Sequence, residues 1–416
     1  MIRNSSNKTI IHCNLMQAFV AAAHDEHAAV VIHNTRSCSS IALHAYFGLR
    51  ERISGSNIAK QGKGNNLFCT ALSDKDAVFG GNEKLEHCLL DICQERRPDY
   101  IIVACGCVPG VVGDDAETVC KTVRNKTGIP VLLLPGFGFM VPGFLDMVLA
   151  ATGLLFQEFT YPLAGMFPKK KDSAVIIGMS SYYISKEVFL EIREFFALFG
   201  ITRLYTPPVG ETKQEYQEMA SVSLAVALCL GVVQKEEGKK LGKKFAQIMG
   251  VPLLDLNGNL EPSETMKTFQ SAIRLIGKGD GLERVILDKY IAYEKKKMHA
   301  SGVLAGKSCL LAVGLPFRFF QPQGTIRFLQ SLGLEVKGFL LLDTATVGKR
   351  AEADAFIRAN NLNMKCYSIS EADADILVTG MPLQIRMKQF IYQPQHFSLE
   401  GWGRVVDRLT ELMLEK

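Results

Sequence analysis

The sequence has little that would tie it to a membrane or to nucleic acid. Its longest apolar run, residues 222–233, is interrupted by Ser223 and is shorter than the ~20 residues that cross a bilayer. The formal net charge of +5 over 416 residues is too small to indicate binding to nucleic acid or to an anionic membrane. The N-terminal residues have no apolar core of a secretory signal, so we expect a cytoplasmic protein.

Zinc-type Cys-x-x-Cys pairs are also absent, although the sequence contains eleven cysteines. An odd number of cysteines, in a long chain for which no export signal is expected, argues against a disulfide framework. Most of them suit core packing, because a reduced cysteine behaves as a small hydrophobic residue. Cysteines at the junction between a strand and the next helix fit this explanation less well.

The rest of the composition is that of a globular protein, with 48% hydrophobic and 21% charged residues. Short β-branched runs at Ala28–His33, Tyr100–Ala104 and Pro130–Leu134 alternate with longer helical patterns. Such alternation is typical of βαβ units with parallel strands. We therefore predict an α/β protein in which parallel sheets are flanked by helices.

The same pattern recurs along the chain and predicts three Rossmann-like domains. The short basic segment Pro168–Asp172 precedes a new strand and marks the first boundary. The predicted domains are residues 1–168, 169–300 and 301–416, the last ending in a C-terminal helix. In the second domain the sequence predicts one long helix over Gln214–Leu230.

Three cysteines follow predicted strands and precede helices, namely Cys13, Cys38 and Cys107. In open α/β sheets the ligand crevice lies outside the carboxyl ends of the strands, so these thiols are expected to approach one another there. A helix N-terminus favours the thiolate, the form that binds metal. Convergent thiolates suit an iron–sulfur cluster. The alternative is three unrelated core cysteines.

Several segments resemble nitrogenase component 1. The stretch Ser73–Leu85 (SDKDAVFGGNEKL) is similar to a VFGG-containing segment of that family, and Cys107–Asp115 (CVPGVVGDD) to its Cys-x5-Gly-Asp-Asp motif. His33–Cys38 (HNTRSC) resembles the family's His-Gly-x-x-Gly-Cys motif, and Ala305–Arg318 its Gly-Lys-strand-Gly-Leu-x-x-Arg stretch. The amino-acid sequences of the first two segments are closer to those of the α-type subunit than to those of the β-type subunit.

The resemblance implies three Rossmann-like domains around a cleft. It also implies that Cys13, Cys38 and Cys107 ligate an iron–sulfur cluster, of the 4Fe-4S or 8Fe-7S type, shared with a homologous β-type subunit in a heterotetramer. An ATP-dependent iron–sulfur reductase would supply low-potential electrons to this cluster. The implied protein is an oxidoreductase subunit acting on a small-molecule substrate.

Departures from the family pattern argue against a standard nitrogenase. Gln234 falls where nitrogenase has the cysteine that holds its catalytic cofactor, and Cys229 lies five residues away. Only His396 stands near the position of the histidine ligand. Asn34 and Ser37 replace two motif glycines, although both residues are compatible with a tight turn. We therefore expect reduction of a substrate other than dinitrogen.

Two other functions are compatible with the sequence. The chain could be a non-enzymatic scaffold on which a metallocluster is assembled, or a cluster-free α/β protein that binds a small ligand. Cys69 and Cys105 are predicted to pack around the site rather than to ligate. Asp114 and Asp115 are predicted to begin a helix.

Overall fold

The computed structural model describes residues 25–41, 66–138, 144–179, 186–207, 211–228, 235–256, 262–276, 281–313, 322–342, 347–380, 382–392 and 398–415. These residues form three separate parallel β-sheets with helices between their strands. The predicted α/β class with parallel sheets is confirmed. No helix in the described ranges is long and apolar enough to cross a membrane.

The first sheet has the strand order β2-β1-β3-β4. Its strands are β1 (Ala28–His33), β2 (Leu67–Cys69), β3 (Tyr100–Cys105) and β4 (Val131–Phe137). The accompanying helices are α1 (Asp76–Phe79), α2 (Asn82–Glu95), α3 (Cys107–Val112), α4 (Ala116–Thr127) and α5 (Phe144–Leu155), and residues 36–41 are also helical.

The second and third sheets have four and five strands. The second is ordered β6-β5-β7-β8 and contains β5 (Lys170–Ile177), β6 (Arg203–Tyr205), β7 (Val222–Ala227) and β8 (Leu253–Asp255). The third is ordered β11-β10-β9-β12-β13 and contains β9 (Ser308–Val313), β10 (Glu335–Leu341), β11 (Lys365–Tyr367), β12 (Ile376–Thr379) and β13 (Lys388–Ile391). The helices are α6 (Lys186–Leu198), α7 (Lys213–Glu218), α8 (Lys235–Met249), α9 (Pro262–Ile276), α10 (Leu282–Leu304), α11 (Pro322–Ser331), α12 (Val347–Ala359) and α13 (Leu399–Leu414).

The two central strands of the first sheet are buried along their whole length. Their apolar residues alternate between two hydrophobic clusters: Val30 and Ile102 pack on one face, and Val31 and Val103 on the other. A parallel sheet covered by helices on both faces requires such continuous apolar runs. The observed register pairs Ala28 with Tyr100 and His33 with Cys105, so the two strands end at the same level.

The predicted helix over Gln214–Leu230 is wrong. The chain forms the short helix α7 and then β7, whose six residues run parallel between β5 and β8. The run Val222–Ala227 is almost wholly buried. Pairing with strands on both sides satisfies the backbone hydrogen-bonding groups of this buried run, so tertiary burial outweighs the helical pattern.

The three predicted domain segments each contain one of the three sheets, while the exact boundaries stay a prediction. The C-terminal helix α13 packs along α10, and Lys289 and Lys296 of α10 pair with Glu400 and Asp407 of α13. The buried carboxylate of Glu191, on α6, also accepts hydrogen bonds from the start of α13. The last helix therefore packs against helices of the second segment.

Candidate functional site: two cysteines at one sheet edge

Two of the three predicted cluster cysteines follow neighbouring strands of the first sheet. β1 ends at His33 and leads to Cys38 in the helical residues 36–41, and β3 ends at Cys105 and leads to Cys107 at the start of α3. His33 pairs with Cys105 across the two strands. Cys38 and Cys107 are both half-buried. Both thiols thus follow the carboxyl edge, where parallel α/β sheets bind ligands.

The third predicted ligand, Cys13, lies outside the described residues, as do Gln234, Cys229 and His396. In the part of the chain that the structure describes, no group of three or more His, Cys, Asp or Glu side chains could hold a metal ion. A cluster at Cys38 and Cys107 would therefore need ligands from Cys13 or from a second subunit. A cluster shared between subunits is the arrangement that the sequence resemblance implies.

The backbone around Cys107 leaves no room for additional side chains. A Cβ atom on Gly138 would overlap Sγ of Cys107, and one on Gly106 would overlap Nδ2 of Asn34. Gly138, the residue directly after β4, therefore lies against the Cys107 thiol. Half-buried thiols held by close backbone packing fit an iron–sulfur cluster, because thiolate sulfur is its usual ligand and burial is one of the properties that tune it.

Asn34 does not occupy the unusual backbone conformation that its place in the glycine motif suggested. The described non-glycine residues with positive φ are Ala71, Arg97 and Asn361. Instead, the Asn34 side chain is buried and fills the space beside Gly106, the residue that precedes the Cys107 helix. The departure from glycine at position 34 is therefore accommodated by packing.

Cys69 and Cys105 make packing contacts and hydrogen bonds in this region, while their supporting role beside a cluster stays a prediction. Cys105 is fully buried in the hydrophobic cluster on one face of the sheet, and this burial raises the pKa of its thiol to about 12. The Cys69 sulfur accepts a hydrogen bond from the backbone N–H of Ala71 at 3.3 Å and lies 3.5 Å from the carbonyl oxygen of Asn34. Cys69 thus contacts the chain that leads from β1 to Cys38.

A buried histidine–aspartate pair beside the cysteines was not anticipated from the sequence. Nε2 of His33 lies 3.0 Å from Oδ2 of Asp114, and its Nδ1 lies 3.1 Å from the hydroxyl of Thr70. The backbone N–H of Gly81 donates to both oxygens of Asp114, at 2.9 and 3.1 Å. Burial lowers the pKa of His33, while Asp114 acts in the opposite direction.

This pair joins three of the four motifs that carry the family resemblance. His33 begins the HNTRSC motif, Gly81 ends VFGG, and Asp114 belongs to GDD. The contact among His33, Gly81 and Asp114 could have been predicted only by placing these three motifs at one edge of the sheet. Of the two aspartates predicted to begin a helix, only Asp115 does so: its side chain accepts from the N–H of Thr118 at 3.1 Å, as an N-cap.

An exposed apolar patch lies over the same edge, formed by Val78, Phe79 and Val111. These side chains are 70%, 81% and 80% exposed, and α1, which carries the first two, contacts α3, which carries Val111. Large apolar groups clustered on a surface mark interaction sites more often than isolated ones do. We name these three residues the apolar patch.

Known proteins resemble the chain over most of its length. The family model described as "Nitrogenase component 1 type Oxidoreductase" matches residues 13–390. A nitrogenase iron-molybdenum cofactor biosynthesis protein NifE of Clostridium pasteurianum is 25% identical over 76% of this chain and 68% of its own length. A protein of the same name from Bradyrhizobium diazoefficiens is 27% identical over 75% of this chain and 57% of its own length.

Solved structures resemble the fold over the whole chain. A structure described as "Nitrogenase Cp1 at pH 6.5" has a TM-score of 0.67 and 16% sequence identity, covering 100% of this chain and 94% of that one. The three parallel sheets of this chain therefore have the fold of that nitrogenase structure. The chain belongs to the nitrogenase component 1 type oxidoreductase family.

Proposed function

We propose that this chain is the α-type subunit of a nitrogenase-like oxidoreductase complex. In this proposal Cys13, Cys38 and Cys107 hold an iron–sulfur cluster, of the 4Fe-4S or 8Fe-7S type, together with a homologous β-type subunit. The observation that carries the proposal is the pairing of His33 with Cys105, because it brings the cysteines that follow two strands to one edge. The cluster would supply electron storage and transfer.

The residues of this chain have separate tasks in the proposal. The thiols of Cys38 and Cys107 bind iron, and the backbone of Gly138 closes one side of Cys107. The core position of Cys105 keeps a competing thiol away from the metal. Electrons come from an ATP-dependent iron–sulfur reductase and pass to a small-molecule substrate, within a reducing cytoplasm.

The test of this proposal is metal and sulfide analysis of the chain purified without oxygen together with its partner subunit. We expect a brown, oxygen-sensitive complex with stoichiometric iron and acid-labile sulfide, and no stoichiometric molybdenum or vanadium. A colourless complex without iron would instead support the cluster-free ligand-binding protein. Molybdenum bound in stoichiometric amount would favour a nitrogenase-type cofactor.

We further propose that the apolar patch is where the reductase docks. A reductase must bring its own cluster close to the interface cluster, because electron transfer slows steeply with distance. Val111 lies on the same helix as Cys107, and Phe79 lies on the helix that contacts it. The patch therefore presents exposed apolar side chains next to the helix that carries the proposed ligand.

The variant Phe79→Asp should therefore weaken the functional interaction with the reductase. Loss of an aromatic anchor at an interface costs about 2 kcal/mol or more, which corresponds to roughly thirtyfold in affinity. We expect the reductase concentration at half-maximal electron transfer to rise by about this factor, with iron content unchanged. Met298→Asp is the matched control, since Met298 is 74% exposed but lies on α10. Equal effects of the two variants would contradict docking at the patch.

A second candidate function is a scaffold on which a metallocluster is assembled. The names of the relatives favour it, because both are described as cofactor biosynthesis proteins. The two functions predict different products when the complex is incubated with its reductase and ATP. A scaffold should release a metallocluster that restores activity to cofactor-free nitrogenase, whereas an enzyme should consume a substrate over many turnovers.

A further inference from the structure

A cavity of about 710 Å³ lies where the first and second segments meet, between α5 and α8. Helix α5 belongs to the first segment and contacts α8, which belongs to the second. Cys38 and Cys107, the proposed cluster ligands that the structure describes, do not line this cavity. Sites for small molecules commonly have this size and lie between domains, so the cavity is a candidate binding site of its own.

The floor of the cavity is apolar and belongs to the hydrophobic core. Leu149, Leu154 and Leu241 line the cavity, and all three pack in one hydrophobic cluster. The same cluster contains Val30 of the first sheet and Val175 of the second, so one core supports both walls. Walls held in this way are formed before a ligand arrives, which lowers the entropic cost of binding an apolar group.

Gly153, in the middle of the cavity wall, leaves space for a ligand. It lies in α5 and is half-buried, and a Cβ atom there would meet Cδ1 of Leu241 at 3.7 Å, an ordinary contact distance. Its φ is not positive, so neither the backbone nor a clash requires glycine at this position. Glycine destabilises the interior of a helix relative to alanine. The structural effect of glycine at position 153 is therefore the open volume beside Leu241.

The charged side chains around the cavity leave one cation without a partner. Lys240 pairs with Glu237 at 2.6 Å, so these two charges cancel. Nζ of Lys244 lies 5.8 Å from the centre of the Tyr161 ring and pairs with no carboxylate among the described residues. The exposed amide of Gln157, in a π-helical turn, forms no hydrogen bond within the same described ranges. An ammonium and an amide that are both available to donate favour an anionic group.

We propose that the cavity between α5 and α8 binds a small amphipathic organic anion. Its apolar body lies against the three leucines, and its carboxylate or similar anionic group lies beside Lys244 and Gln157. Such a ligand contacts both segments and therefore stabilises the folded chain by mass action. Binding requires neither iron nor a reductase, so this inference goes beyond the proposed function and can fail or succeed without it.

The test is calorimetric titration of the complex, purified without oxygen, with octanoate. We expect saturable binding of one octanoate for each copy of this chain. Acetate keeps the carboxylate but lacks the apolar body, and octyltrimethylammonium reverses the charge, so neither should bind in a saturable manner. Absence of saturable octanoate binding, including absence because the partner subunit covers the cavity, would overturn the proposal. Equally strong binding of octyltrimethylammonium would overturn the anionic character of the ligand.

The variant Gly153→Leu should abolish saturable octanoate binding, because the added side chain projects towards Leu241 and fills the open volume. Gly153→Ala is the matched control, since it adds only the Cβ atom and should bind octanoate as the parent chain does. Octanoate should also raise the melting temperature of the parent chain and of Gly153→Ala, but not that of Gly153→Leu. Parent-like binding to Gly153→Leu would place the octanoate elsewhere and contradict the proposal.

The variant Lys244→Gln keeps the inference testable if Gly153→Leu does not fold. It should weaken octanoate binding roughly three- to fivefold, as expected for the loss of one exposed ion pair. Lys243→Gln is the control, because Lys243 is exposed on the same helix but does not line the cavity. It should leave the affinity for octanoate unchanged. Equal weakening by both variants would indicate general attraction to a basic helix instead of a site at Lys244.

Discussion

Replacing Cys107 by serine should remove most of the iron from the purified complex. A thiolate bridges the protein directly to an iron–sulfur cluster, and a serine hydroxyl does not replace it as a soft ligand. The loss should also weaken association with the partner subunit, because the binding energy of a shared cluster contributes to assembly. We expect the same result for Cys38→Ser and Cys13→Ser.

Matched controls are available within the same sheet. Cys105→Ser changes a thiol only two residues away, in a fully buried position of β3, and should keep the cluster. Cys309→Ala changes a buried thiol in the third sheet and should keep it as well. The measurements are iron and sulfide per complex, the absorbance of the cluster, and the mass of the assembly without oxygen. If Cys105→Ser loses iron while Cys107→Ser keeps it, the ligand assignment is wrong.

The sheets and most of their helices could be predicted because their sequence patterns are local. Continuous apolar runs such as Ala28–His33 and Ser308–Val313 became parallel strands. The helix predicted over Gln214–Leu230 was wrong because a continuous apolar run, such as the one after α7, is compatible with a buried helix and with a buried strand. Only its neighbours β5 and β8, distant in sequence, select the strand. Short edge strands such as β2 and β13 contain too few residues to show the apolar–polar alternation that identifies a strand.

The candidate site was predictable only in part for a related reason. Strand ends can be recognised locally, so Cys38 and Cys107 could be placed at one edge from the sequence. The contact between His33 and Asp114 joins residues 81 positions apart, and no periodicity encodes it. The close approach of Gly138 to Cys107 joins residues 31 positions apart at the ends of two different strands, and no local pattern encodes it either. Such contacts follow from the assembled sheet.

One buried acid lies away from the sheet edge and has no cationic partner among its described hydrogen bonds. Oε1 of Glu211 accepts from the backbone N–H of Thr206 at 2.5 Å and lies 3.3 Å from its hydroxyl. Oε2 is enclosed and has no hydrogen-bond partner within the described residues. Burial therefore raises the pKa of Glu211 to about 8. The pKa of Tyr216 is also raised, first by its own burial and then by the nearby Glu211 charge.

This raised pKa makes stability depend on pH in a defined direction. Between the unfolded value of about 4.5 and the folded value of about 8, the folded chain binds more protons at Glu211 than the unfolded chain does. The contribution of Glu211 to the free energy of unfolding is therefore fully present below pH ~4.5 and is lost as the pH rises through 8. One pKa unit corresponds to about 1.4 kcal/mol, so the loss amounts to a few kcal/mol.

The variant Glu211→Gln should abolish this pH dependence, because the amide keeps an oxygen for Thr206 and never ionises. The difference in apparent melting temperature between Glu211→Gln and the parent chain should grow by several degrees in favour of the variant as the pH rises from ~5.5 to ~8.5. This is the shift expected for about 3 kcal/mol in a protein of this size. Glu236→Gln, which changes an exposed glutamate on α8, should show no such trend. Both variants are compared by thermal unfolding under reducing, anaerobic conditions. A constant difference between Glu211→Gln and the parent at all pH values would mean that Glu211 is ionised in the folded chain and holds a partner for its second oxygen.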